Sequence, residues 1–181
     1  EFQRYGGMSD EEKAKRDWSY RGNSSSQGLW SLYKKGAKRK NPISTDVIRE
    51  SVKIKSEIVS NDEFEKGDQR IFLNYGHTIG HAIESISKYS QFLHGEAVSI
   101  GMCVAAKISE MIGISDNHLT KLHLELMKLY DLPISVPNID EEEIINSIKF
   151  DKKVRDGKVR WVLLKKISSP YINNNVDEKI L

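Results

Sequence analysis

Cysteine is almost missing from this sequence: Cys103 is the single thiol in 181 residues. That excludes a disulfide framework and a closed zinc site built on several thiolates. Cys103 lies in an apolar helical run, where a buried, reduced side chain is expected. An excess of one charge is lacking too, since 28 basic residues face 26 acidic ones for a net +2. This balance gives no reason to expect a nucleic-acid or membrane partner. No apolar run is long enough to span a bilayer and no signal peptide is recognisable, so a soluble cytoplasmic protein is expected. There is no internal repeat. Gly-x-Gly-x-x-Gly after an apolar strand is missing, as are alternating strand and helix units, so no nucleotide-binding α/β half is expected in this chain.

What is present suits one domain with an irregular extension: 38% hydrophobic and 30% charged residues. Residues 1–42 are polar and show little periodicity, and the basic run Lys34 to Lys40 reads as a solvated helix end or loop. From residue 43 to 181 the pattern is regular and predicts a mainly α domain, a helical bundle with a small β-hairpin. Ser44 or Thr45 can cap a first helix, with Ile48, Val52, Lys55 and Val59 on one stripe. A lysine on such a stripe either snorkels its ammonium to the rim or turns it into a cleft. Asn61 to Gln69 reads as a loop. Arg70 then opens a helix carrying His77 and His81, with Arg70 and Asn74 on a face near them.

The sequence turns on residues 70–101, RIFLNYGHTIGHAIESISKYSQFLHGEAVSIG. His77 and His81 are four apart and so share a helix face. A bare His-x-x-x-His is common on solvated helices. Here, however, each follows a glycine, in Gly76-His77-Thr78-Ile79-Gly80-His81, which allows close helix approach and leaves room at an imidazole. His94 follows a polar break and starts a helix ending at Gly113, with Met102 and Met111 as core filler. With one cysteine, any metal site should be open.

Further on, residues 116–132 predict an amphipathic helix with Leu119, Leu122, Leu126 and Leu129 inside and His118 and His123 at the surface. Asp140 and Glu143 resemble a cap for a short helix with Ile144, Ile145 and Ile148. Asp156-Gly157, between Val154 and the β-prone Val159 to Leu164, predicts the hairpin turn. From Tyr171 the chain reads as a polar terminal segment.

Arg70-x-x-x-Asn74-x-Gly76-His77-Thr78-x-Gly80-His81-Ala82-Ile83-Glu84, followed by Leu93-His94-Gly95-Glu96-Ala97-Val98, resembles the metal-binding segment of 3-dehydroquinate synthase and of the sugar phosphate cyclases. The resemblance covers residues 42–181. It implies a divalent ion, Zn2+ or Co2+, on His77 and His94. The family's third ligand is an upstream glutamate, for which Asp10 is the aligned candidate; Glu84 and Glu96 receive no ligand role. It further implies that Lys55 and Arg70 bind the substrate carboxylate, that Asn74 orients hydroxyls, that His81, near the metal but not on it, transfers a proton or hydrogen-bonds substrate, and that Lys152, in Asp151-Lys152-Lys153, faces phosphate.

The implied activity is that of a carbon–oxygen lyase of the shikimate pathway, converting 3-deoxy-D-arabino-heptulosonate 7-phosphate, a small phosphorylated sugar acid, to 3-dehydroquinate. NAD would be bound by a nucleotide-binding domain missing from this chain, and the full-length enzyme would be a homodimer. Alternatives are another cyclase such as 2-deoxy-scyllo-inosose synthase, the helical half of a metal-dependent polyol dehydrogenase, or a non-catalytic partner of an active homologue.

Overall fold

The structure, a computed structural model, describes residues 45–64, 67, 69–154 and 159–181. The expected domain boundary at residues 42–43, Asp10 and the Asp156-Gly157 signal lie outside the described residues. The described residues up to 69, with 167–169, form one compact unit, and the described residues of 70–166 and 170–181 form another.

In the first unit, helix α1 spans Thr45–Asn61. Asp46 sits in its first turn, where the positive helix end favours a carboxylate, and Arg49 pairs with it one turn on. Buried Asp62 closes the turn after the helix by accepting a hydrogen bond from Gly67 N at 2.9 Å. The expected stripe is corrected here. Val47 is buried, whereas Ile48 and Val52 are 53% and 59% exposed.

In the second unit, Arg70–Asn74 is a 3-10 helix, and α2 begins only at His77, through Ile86. The continuous helix expected from Arg70 is therefore broken, and the break is at Gly76, whose φ is +83°. Its cause is the next helix, α3 (His94–Met111). A Cβ on Gly76 would lie 2.7 Å from Met102 N and 2.8 Å from the Val98 carbonyl, and one on Gly101 would collide with the Gly76 carbonyl oxygen. Backbone touches backbone at this crossing, which only glycine permits.

Helix α4 spans Asn117–Leu129, capped by the Asp116 side chain accepting from His118 N at 3.1 Å and Leu119 N at 3.4 Å. Helix α5 spans Glu141–Val154, with the Asp140 carboxylate accepting from Glu142 N at 3.0 Å. Strands β1 (Trp161–Lys166) and β2 (Ser169–Asn173) form a two-stranded sheet. The hairpin is thus later than expected: Val154 is still helical, and the reversal comes at Ile167–Ser168, with Ser168 at φ 65°. A final 3-10 turn spans Glu178–Ile180. The terminal segment is not merely polar, because Tyr171, Val176, Ile180 and Leu181 pack against the core.

Helix α3 is the hub, packing against α2, α4 and β1, while α2 also packs on α5. The core joins Ile79, Ala82 and Ile83 of α2, Ala97, Ile100, Ala105 and Ile108 of α3, Ile148 of α5, and Trp161 and Leu163 of β1. Trp161 to Leu164 are all buried, so β1 shows no inside–outside alternation. Buried Ser109 donates to the Ala105 carbonyl at 2.8 Å and accepts from Leu164 N at 3.2 Å, pairing a sheet-edge amide that would otherwise be stranded. Cys103 is buried, as expected, whereas Met111 and Leu129 are exposed rather than core. Among the described residues, no helix is long and apolar enough to cross a membrane.

Candidate metal centre

The glycine crossing decides where the histidines meet. It presses the start of α2 against the first half of α3, so His77 and His81 face the residue that opens α3, His94. The three imidazoles are mutual neighbours. Ring centroids lie 5.4 Å apart for His77 and His81, 5.3 Å for His77 and His94, and 6.0 Å for His81 and His94.

Each end of the cluster has one ring nitrogen engaged by an oxygen. His77 Nδ1 is 3.4 Å from its neighbour Tyr75's carbonyl, and His94 Nδ1 is 2.9 Å from Glu84 Oε1. Glu84 is the seventh residue after His77, hence on the same face of α2. One ligating atom each from His81, Glu84 and His94 all fall within 4.8 Å of one another. Imidazole nitrogen with carboxylate oxygen is a donor set that suits zinc or cobalt, so the residues present fit a divalent ion. Burial pushes the His77 pKa below the ordinary imidazole value, partly offset by the Tyr75 carbonyl, and neighbouring His81 and His94 lower it further. A neutral ring is the ligating form.

Two residues before His77, partly buried Tyr75 pairs with buried His123. The Tyr75 hydroxyl is 3.1 Å from the Met102 carbonyl and 3.1 Å from His123 Nε2. His123 Nδ1, 2.8 Å from the Leu119 carbonyl, must be the donor there, which leaves Nε2 as an acceptor. His123 was expected at the surface and is 5% exposed; only His118 is outside. Nδ1 is paired with the Leu119 carbonyl, and Nε2 shares the single Tyr75 hydroxyl proton with the Met102 carbonyl, so burial is tolerated. Burial drives the His123 pKa down and that of the Tyr75 phenol up. The buried face of α4 is Leu119, His123 and Met127, rotated from the expected leucine stripe.

The remaining candidates are spread over several elements. Lys55 is exposed on α1, in the first unit. Arg70 and Asn74 bracket the 3-10 helix immediately before His77, Arg70 partly buried and Asn74 exposed. In a 3-10 helix residues four apart do not share a face, so the expected common face of Arg70 and Asn74 is not formed. Lys152 belongs to the last turn of α5. Glu96 serves the fold by accepting from Leu93 N at 2.8 Å at the start of α3. A separate cleft of about 520 Å3, lined by residues including Phe92, Glu96, Lys128 and Pro133, contains none of the three clustered histidines. Glu84 and the Tyr75–His123 pair are the parts that sequence reasoning passed over. A seven-residue spacing from His77 to Glu84 and a four-residue spacing from Leu119 through His123 to Met127 were the signals available.

A family model described as "3-dehydroquinate synthase C-terminal" matches residues 23–154, beginning inside the N-terminal segment. The chain is 43% identical over 141 residues to 3-dehydroquinate synthase of Prochlorococcus marinus (strain MIT 9215), covering 78% of this chain and 39% of that protein. It is 45% identical over 135 residues to the same-named protein of Dehalococcoides mccartyi (strain ATCC BAA-2266 / KCTC 15142 / 195), covering 74% and 37%. The chain thus spans roughly two fifths of the length of these curated relatives. Among solved structures, 2-epi-5-epi-valiolone synthase from Streptomyces hygroscopicus subsp. jinggangensis 5008, with NAD+ and Zn2+ bound, shares the fold. Its TM-score is 0.73 at 22% identity, over 85% of this chain and 44% of that one. A 2-deoxy-scyllo-inosose synthase complexed with carbaglucose-6-phosphate, NAD+ and Co2+ gives a TM-score of 0.56 at 30% identity, over 67% and 34%. With a helical fold built on a glycine crossing, a histidine cluster at that crossing and a family match over most of its length, this chain belongs to the 3-dehydroquinate synthase C-terminal family of sugar phosphate cyclases.

Proposed function

We propose that this chain is the metal- and substrate-binding part of a 3-dehydroquinate synthase, which converts 3-deoxy-D-arabino-heptulosonate 7-phosphate to 3-dehydroquinate and phosphate. The observation that carries the reading is the histidine cluster at the α2–α3 crossing, in a chain 43% identical to such enzymes over 141 residues. His77 and His94 would hold the metal, with the third protein ligand contributed from elsewhere in the enzyme. When bound, zinc or cobalt supplies a Lewis acid for a substrate hydroxyl. NAD, held by another part of the enzyme, supplies the hydride acceptor.

This chain's own residues supply binding and proton handling. The Arg70 guanidinium can bond both oxygens of the substrate carboxylate through its planar fork, and Lys55 adds a second positive charge to that group. Asn74, with one amide donor group and one acceptor, suits a sugar hydroxyl that must both give and take a hydrogen bond. His81, exposed beside His77 and His94, is suited to carry a proton to or from the substrate or to hydrogen-bond it. Lys152 would offset the charge of the phosphate.

The test is phosphate release from the seven-carbon acid phosphate. This chain alone, with zinc and NAD added, is expected to be inactive, because NAD would be held by another part of the enzyme. Activity should appear when a separately expressed nucleotide-binding half is supplied. Turnover of glucose 6-phosphate instead, which has no carboxylate for Arg70, would favour a 2-deoxy-scyllo-inosose synthase-like cyclase.

A further inference from the structure

We propose that Glu84 is a positioning residue for His94: its carboxylate holds the proton of that imidazole on Nδ1, so that Nε2 is the nitrogen offered to the metal. The inference rests on the metal-centre reading given above and assigns to Glu84 a role distinct from that of a ligand.

His94 opens α3 with its side chain 58% exposed. An exposed ring at a helix start is oriented chiefly by its hydrogen bonds and its neighbouring rings. Glu84 is its opposite, 6% exposed and fixed on α2 between buried Ile83 and the end of the helix. Taking a carboxylate out of water is costly unless it is hydrogen-bonded, and the Glu84 oxygen finds its partner in His94 Nδ1 at 2.9 Å. An ionised carboxylate only accepts, so Nδ1 must be the donor. In a neutral ring the lone pair then resides on Nε2. The buried carboxylate therefore sets both the orientation and the tautomer of the exposed ring.

A competing role is coordination by Glu84 itself, since its oxygen lies within 4.8 Å of ligating atoms of His81 and His94. The two roles differ in what a neutral amide can replace. Glutamine keeps a carbonyl oxygen that accepts from Nδ1–H, but it is a poor metal ligand. Leucine keeps the volume and does neither.

The experiment uses the full 181-residue chain as wild type, Glu84→Gln and Glu84→Leu, with His94→Gln to assign resonances. Histidine tautomers are read from nitrogen-15 spectra of the metal-free proteins at about pH 8, where imidazoles are neutral. Zinc affinity is read by competition with a chromophoric chelator. His94 is expected as the Nδ1–H tautomer in wild type and to lose that preference in Glu84→Leu, with His81 unchanged. Zinc affinity should fall about 10- to 100-fold in Glu84→Leu and stay within about tenfold in Glu84→Gln.

Equal losses in the Gln and Leu variants would overturn the proposal in favour of coordination. An Nε2–H His94 in wild type, or unaltered zinc affinity in Glu84→Leu, would overturn it outright. If Glu84→Leu does not fold, the wild-type tautomer and Glu84→Gln still decide. Wild-type protein that shows the Nδ1–H tautomer yet binds no zinc would sink the metal-centre reading and leave the Glu84–His94 tether standing.

Discussion

Helices α1 and α3 are nearly equal in length, 17 and 18 residues, yet they are built to opposite ends. Helix α3 buries ten of its residues, and its neighbours include α2, α4 and β1. Helix α1 has one buried residue, Val47, and leaves Ile48 and Val52 largely in water. The difference teaches which candidate residues inherit their positions from packing within their own unit. His77, His81 and His94 stand on helices locked together by backbone contact at Gly76 and Gly101, so their mutual geometry follows from the core. Lys55 stands on a helix whose own apolar face is open, so the contrast between the two helices should be visible in every measurement of stability.

The largest expected effect is on the α2–α3 side. Ile83 has no exposed surface, and Ile83→Ala should cost about 2–5 kcal/mol of unfolding free energy, through lost burial and the cavity left behind. Val52→Ala on α1 should change stability by no more than about 0.5 kcal/mol, as expected for exposed positions. Chemical denaturation of both variants checks the pair, and similar losses would erase the distinction between the helices.

Gly101→Ala comes next. The added methyl must displace the Gly76 carbonyl, so a loss of about 1–3 kcal/mol is expected, accompanied by weaker zinc binding because His77 follows Gly76 directly. Denaturation and chelator competition read the two effects, and a destabilised protein with unaltered zinc affinity would separate the crossing from the site.

The third concerns pH. Burial holds the folded-state pKa of His123 below its unfolded value. Below the ordinary imidazole range the unfolded chain takes up a proton that the folded chain refuses, so stability falls as pH falls. One proton corresponds to at most about 1.4 kcal/mol per pH unit. His123→Phe should flatten this slope below about pH 6.5, the ordinary imidazole value. His77 has the same sign of shift, so part of the slope should remain. An unchanged slope in thermal melts would show that His123 does not contribute.

The smallest expected effect on folding is that of Lys55→Met. The lysine is exposed and methionine keeps the apolar stem, so stability should change by less than about 1 kcal/mol. Binding of a carboxylated substrate analogue, measured in a complete enzyme carrying this unit, should nevertheless weaken at least about tenfold, a loss of some 1.4 kcal/mol. Full affinity together with a large drop in melting temperature would make Lys55 structural.

Helical spacing is local, and what depended on it could be read from the residues. The shared face of His77 and His81, the start of α3 at His94, its end before Gly113 and the Asp140 cap all follow from chain-local geometry. The misjudged features involve partners far along the chain. The hairpin was expected near residues 154–164, yet the turn between paired strands falls at Ile167–Ser168, where buried Trp161 to Leu164 set the strand. His123 reads as a polar surface residue until the Tyr75 hydroxyl, 48 positions earlier, is brought to its ring.

By itself, the sequence determined a mainly helical domain, the family to which it belongs and the identity of three clustered histidines, because periodicity and motif spacing are carried by neighbouring residues. The helix break at Gly76, the burial of His123 and the tether from Glu84 to His94 were decided only by the tertiary structure. Each arises where α2, or the Tyr75–Gly76 segment before it, meets α3 or α4, and the energy of close backbone approach or of a paired buried polar group exists only once both elements are in place.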